Sequence, residues 1–164
     1  QGTSVHLATE IFMSMTNTDM VHVPYKGTGP ANIDLLAGRV QVMFSGGGTG
    51  LPPVRAGKLK LLASTAERRT IATPDTPTVA EAGVPGYESI AWFALVGPAG
   101  MPRPIVERLH REVAAMQKSR SVIETFAKAG AEMLPGTPEQ LATRTRQELP
   151  LFEKIMKKAG IQPE

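Results

Sequence analysis

Val23-Pro24-Tyr25-Lys26-Gly27-Thr28-Gly29-Pro30-Ala31 is the stretch that decides the fold. An apolar strand runs into Pro24, which has no N–H for a ladder and holds its predecessor in extended backbone. Tyr25-Lys26-Gly27 then turns the chain. Pro30 sits well for the first turn of a helix. The turn therefore exposes one aromatic ring, one ammonium and backbone N–H groups beside a helix N-terminus. That is a good place to hold an anion and a poor place to do chemistry.

The pattern around this turn is periodic. Upstream, Thr3 or Ser4 caps a helix running to about Asn17, with Leu7, Ile11, Phe12 and Met15 on one face. Met20 to Lys26 is the strand. Downstream, Ile33, Leu35 and Leu36 mark a helix that Gly38 stops. Val40 to Phe44 reads as a second strand, followed by the run Ser45-Gly46-Gly47-Gly48-Thr49-Gly50. A short helix to Gly57 follows, with Pro52 and Pro53 expected in its first turn. Leu59 to Ser64 is a third strand. The β-α-β-α-β order with apolar strands predicts an α/β fold, a mostly parallel sheet flanked by helices.

Residues 71–86 change character, since Pro74, Pro77 and Pro85 punctuate them. Thr78 caps one turn through Ala82. Ser89 to Val96 is a further apolar strand with the only tryptophan, Trp92. After Gly97-Pro98-Ala99-Gly100-Met101-Pro102 the chain is helical: Pro104 to about Ser119, a helix capped by Ser121 and ending at Gly130, and one from Thr137-Pro138-Glu139-Gln140 to Lys158, stopped by Gly160. Pro150 is expected to kink the last of these near Arg146. Glu132 to Leu134 is a candidate short strand. These helices have apolar faces, and the chain does not clearly supply a sheet to cover them. The expectation is a missing N-terminal half or a partner chain.

Composition narrows the function classes. The 164 residues hold no cysteine, so disulfides, thiolate metal sites and a Cys nucleophile are excluded. No apolar run reaches the roughly 20 residues of a membrane span. The start Gln1-Gly2-Thr3-Ser4 lacks the basic and apolar stretches of a signal peptide, as expected of a cytosolic chain, a mature one or a fragment. The net charge of +3 resides after residue 100, where Lys and Arg alternate with Glu at helical spacing. That pattern is a solvated helix face rather than a nucleic-acid stripe.

No catalytic set emerges. His6, His22 and His110 have no metal-ligand spacing, and no nucleophile elbow is present. Ser45 to Gly50 is not a phosphate loop, because no Gly-Lys-Ser/Thr ends it. It does lie where α/β sheets place ligands, at the carboxyl end of a parallel strand. No enzyme activity, metal or cofactor is expected. Thr3 and Ser4 read first as caps, His6 as a structural histidine, and Trp92 as core or hinge packing.

Several stretches together resemble one family. They are Gly2-Thr3-Ser4-Val5-His6-Leu7-Ala8, Met20 to Gly27, Leu35 to Phe44, Arg55-Ala56-Gly57-Lys58-Leu59, Thr76 to Tyr87, and Trp92-Phe93 before Pro98-Ala99-Gly100. In order and spacing they are similar to the solute-binding proteins of tripartite tricarboxylate transporters, the Bug family. The resemblance implies a periplasmic, two-lobed Venus flytrap that closes on a small organic carboxylate and hands it to a membrane transporter. It implies that residues 1–88 form most of the second lobe. Residues 89–164 would be the return strand and C-terminal helices of the first. The candidate ligand-binding set is Gly2, Thr3, Ser4, His6, Tyr25, Lys26, Gly27, Ser45, Gly46 and Trp92. Two departures stand out. Val5 replaces a frequent proline. Ser45 replaces a frequent acid, which implies a less cationic ligand, purely carboxylate or aromatic. The open Gly46-Gly47-Gly48 run is expected to admit a bulkier one. The alternative is an assembly fragment that forms a homodimer and binds no ligand.

Overall fold

Alanine–glycine pairs stop three helices by one local geometry. The computed structural model describes residues 2–158 and 160. Among them are six helices: α1 Ser4–Thr16, α2 Thr28–Leu36, α3 Gly47–Arg55, α4 Arg103–Met116, α5 Arg120–Lys128 and α6 Pro138–Lys158. After α2, α3 and α5 an alanine C-cap precedes Gly38, Gly57 or Gly130, at φ 72°, 69° and 71°. Each glycine N–H donates three residues back, and the next N–H donates five back, as in Gly38 to Leu35 (3.1 Å) and Arg39 to Asp34 (2.9 Å). This pair of bonds satisfies the last carbonyls and needs a left-handed residue, which glycine adopts without strain.

Helix starts follow the same local logic. Thr137 N–H donates to Gln140 Oε1 (2.8 Å), and Gln140 N–H returns to Thr137 Oγ1 (3.2 Å). That reciprocal pair opens α6 as its sequence implies. Thr78 and Glu81 make the same pair (2.9 and 3.1 Å) around the single turn before Gly83. α5 is capped at Ser119 rather than Ser121, with no side-chain bond.

α3 begins earlier than expected. The glycine run itself is its first turn, with the Gly46 carbonyl accepting from Thr49 and Gly50. Pro52 and Pro53 therefore lie inside the helix, not in its first turn. Pro53 has no N–H to give the Thr49 carbonyl four residues back. Asn32 Nδ2 on α2 donates to that carbonyl instead, at 3.1 Å.

Among the described residues the expected mostly parallel sheet is not seen. Residues 20–26, 40–44, 59–64, 89–96 and 132–134 carry no ladder. Among the described residues the one strand-type pairing is a parallel bridge between Ser64 and Thr78. An extended segment satisfies its backbone only against a neighbouring strand, and these segments find none in register. The apolar side chains meant for a covering layer stay open: Val21 is 91% exposed, Phe93 97% and Val96 80%. α4 and α5 bury no residue, although Ile105, Leu109, Ile123 and Phe126 give them apolar faces.

Among the described residues the buried ones are few: apolar Leu7, Ala8, Ala31, Leu51, Val79 and Tyr87, and polar Thr78. Tyr87, 1% exposed, donates its hydroxyl to the Ala8 carbonyl at 2.9 Å. Its ring meets Phe12 edge-on at 6.1 Å, and Phe12 meets Phe44 at 5.7 Å. α6 packs along α1.

Candidate functional site

The start of α1 is built by its own first turn. Thr3 is the N-cap, accepting from His6 N–H through Oγ1 (3.4 Å) and from Leu7 N–H through its carbonyl (3.0 Å). Gly2 N–H donates to His6 Nδ1 at 3.2 Å. Nδ1 is thus an acceptor, so this network assigns the neutral ring its proton on Nε2, facing Glu10 Oε1 at 3.5 Å. The His22 ring stacks on His6 at 4.2 Å. Burial first, and His22 second, hold the His6 pKa below the usual histidine value. Ser4 is exposed, and the N–H groups of Ser4 and Val5 meet no acceptor among the described residues. Unpaired N–H groups at a helix start attract an anion.

The second group is the turn before α2. Tyr25 is half-buried and donates its hydroxyl to Asp34 Oδ2 at 2.8 Å. Arg39 Nη1 takes Asp34 Oδ1. The hydrogen bond to Asp34 raises the Tyr25 pKa, and the Tyr25 and Arg39 donors lower that of Asp34. Lys26 is exposed and has no hydrogen-bond or ion-pair partner among the described residues. Gly27, at φ 99°, is the N-cap of α2 with no side-chain cap, so this helix start also presents bare N–H groups.

The third group opens α3. Ser45 Oγ lies 2.9 Å from Thr49 Oγ1 and 3.2 Å from the Gly46 carbonyl. Gly46 has free space around it. Gly47 and Gly48 do not: a Cβ on Gly47 would sit 2.5 Å from the Gly130 carbonyl oxygen, and one on Gly48 3.3 Å from that of Ala129. The end of α5 fills the space that the glycine run was expected to offer a bulkier ligand.

Trp92 lies apart. Its Nε1–H donates to Glu148 Oε2 on α6 at 2.7 Å, and the Arg144 guanidinium stands over its ring at 5.6 Å. Arg144 also bonds Glu148 (2.6 Å), so Trp92 belongs to an α6 anchor. Among the ten candidates, Gly2, Thr3, Ser4 and His6 share one cluster. The His6–His22 stack brings the segment that leads to Tyr25, Lys26 and Gly27 beside it. Ser45 and Gly46 join α2 through the Asn32–Thr49 bond, and among the described residues no hydrogen bond or ion pair ties them to the α1 start. A groove of about 620 Å³ between α4, α5 and the start of α6 is lined by Arg68, His110, Lys118 and Glu132 among others, and by none of the ten.

Sequence reasoning missed Asp34, Arg39 and Asn32, and read His22 only as a strand residue. Asp34 lies nine positions beyond Tyr25 on another element, a spacing with no local signature. Among the described residues no group of three or more His, Asp and Glu could hold a metal ion, and no helix is long and apolar enough to cross a membrane.

Known proteins resemble the whole chain. The family model for the tripartite tricarboxylate transporter family receptor matches residues 1–161. A UPF0065 protein from the tcbD-tcbE intergenic region of Pseudomonas sp. strain P51 is 35% identical over 156 residues, which is 94% of this chain and 46% of that protein. The structure of R. palustris Rpa4515 with adipate superposes with a TM-score of 0.86 at 38% identity, over 99% of this chain and 54% of the other. MatC from Rhodopseudomonas palustris with bound malate gives 0.73 at 32%, over 92% and 52%. The chain spans about half the length of the curated relatives it matches.

Proposed function

Because the chain belongs to the tripartite tricarboxylate transporter receptor family, we propose that it forms part of a periplasmic receptor that captures a small organic carboxylate for a membrane transporter. The observation that carries this reading is the α1 start, where the N–H groups of Ser4 and Val5 meet no acceptor among the described residues and lie beside an exposed hydroxyl. Carboxylate oxygens match such donors without a buried lysine. Lys26 and the uncapped starts of α2 and α3 add positive potential. The neighbours solved with adipate and malate lend support, since both ligands are small carboxylates. The receptor does no chemistry in this reading. Of the sequence candidates, Gly2, Thr3, Ser4, His6, Tyr25, Lys26, Gly27, Ser45 and Gly46 stay in the proposed cleft. Trp92 is assigned to anchoring α6.

The division into 1–88 and 89–164 remains part of the proposal. So does a further segment, equal to the relatives' other half, that pairs with the extended segments and covers Phe93, Leu95 and Val96. A second reading, assembly without ligand, draws on the same exposed apolar side chains. Thermal unfolding against mono-, di- and tricarboxylates separates the two. It is run on the chain alone and with the amino-terminal half of a relative supplied. A native-state ligand adds about 2.7 kcal/mol of stability at a hundred times its Kd. A rise in midpoint with one acid supports the receptor. A concentration-dependent dimer blind to every acid supports assembly.

A further inference from the structure

We infer that Asp34 makes Tyr25 a hydrogen-bond acceptor in the cleft, so that this turn selects a carboxylic acid bearing a hydroxyl over one without. The inference rests on the receptor reading and deepens it.

A phenol has one proton to donate and lone pairs to accept with. The Tyr25 proton points at Asp34 Oδ2, 2.8 Å away. The other Asp34 oxygen is taken by Arg39. Arg39 is held there twice, because its backbone N–H also donates to the Asp34 carbonyl (2.9 Å) in the C-terminal motif of α2. The triad is therefore fixed by the end of the helix and not by a flexible side chain alone. The raised Tyr25 and lowered Asp34 pKa values keep the proton on the phenol. What Tyr25 has left for a ligand is a lone pair.

A carboxylate oxygen placed there meets that lone pair with its own, which is repulsive. It binds only if Tyr25 abandons Asp34. A ligand hydroxyl donates to the phenol oxygen and leaves the triad intact. An ammonium would donate as well. The Asp34 carboxylate is already paired by Arg39, and Lys26 adds positive charge to the same turn, so the hydroxyl is the donor that fits. The ligand carboxylate falls to the free N–H groups of α1 and to Lys26. The result is a division of labour between two adjacent turns.

The test compares succinate with malate, which differ by one hydroxyl, and with aspartate, in which an ammonium replaces it. Binding is measured by calorimetry on the chain with a relative's amino-terminal half supplied. The expected result is malate over succinate by about threefold to tenfold, the yield of one net hydrogen bond, with aspartate weaker than malate. Tyr25→Phe should erase the preference, bringing malate affinity down to that of succinate. Asp34→Ala frees the phenol proton and should shift the preference toward succinate, with circular dichroism verifying the fold. Equal binding of malate and succinate, or a preference that survives Tyr25→Phe, overturns the inference and leaves the receptor reading standing. Preference for aspartate overturns the hydroxyl assignment. Binding of none of the three, and of no other carboxylate, overturns both.

Discussion

Gly47 and Gly130 are in backbone contact: a Cβ on Gly130 would lie 2.6 Å from the Gly47 Cα, and one on Gly47 2.5 Å from the Gly130 oxygen. The pair seats the start of α3 against the end of α5. Neither backbone atom can move aside as a side-chain tip could. Gly47→Ala should cost roughly 1–3 kcal/mol as overpacking. Gly130→Ala adds the strain of a left-handed alanine, about 1–2 kcal/mol. Gly57→Ala is the control, since Gly57 has a similar φ but nothing within 4 Å of its Cβ position. Urea unfolding should rank Gly130→Ala well below Gly57→Ala. Equal losses would mean the contact contributes nothing.

The half-buried Asn32 amide should matter more than its place on a short helix suggests. It donates to the Thr49 carbonyl that Pro53 leaves without a partner. Asn32→Ala should lower stability by about 1 kcal/mol, the value of one net hydrogen bond. In the Pro53→Ala background the loss should shrink, because an alanine at that position restores the helical donor. A double-mutant cycle by chemical denaturation reads the difference.

Tyr87 makes the fold sensitive to alkali. Burial pushes its hydroxyl up to about 12. The folded value lies above the unfolded one, near 10, so its stabilisation is complete below about pH 10 and is lost as pH rises toward 12. The midpoint of thermal unfolding should fall through that window. Tyr87→Phe should flatten the fall while losing the bond to Ala8. Absorbance titration of the phenols should find no tyrosine ionising at the ordinary value, because Tyr25 is raised too.

His6 makes it sensitive to acid. Its folded pKa lies below the unfolded value of about 6.5, because of burial and the stacked His22. The unfolded chain therefore binds more protons, and stability present above pH 6.5 drains away as pH falls below it. Protonation also deprives Gly2 N–H of its acceptor at Nδ1. A midpoint that drops between pH 7 and 5, and drops less in His6→Gln, is expected. A flat profile in the parent chain would contradict the assignment.

Local chemistry was legible in the sequence, and long-range pairing was not. Gly38, Gly57 and Gly130 announced helix ends because a left-handed glycine is a local requirement. Thr137 and Gln140 announced a start for the same reason. The apolar runs 40–44 and 89–96 join no ladder among the described residues, because a sheet needs partners, and hydrophobicity says nothing of where they are. The excess of apolar helix faces was legible, and Phe93 and Val96 lie open as that imbalance implies. In the candidate site, the Thr3 cap could be read from its position. The proton of Tyr25 could not, because its acceptor lies on another element.

The central claim is that a carboxylate rests on the free N–H groups of Ser4 and Val5. Amide proton and nitrogen shifts test it directly. The labelled chain, with a relative's amino-terminal half supplied, is titrated with succinate, malate and adipate. The account predicts saturable downfield movement of the Ser4 and Val5 amide protons with at least one acid. The amides of α4, which carries none of the candidate residues, should stay still. Saturable binding that leaves the Ser4 and Val5 amides unmoved, or no binding of any acid, would contradict it.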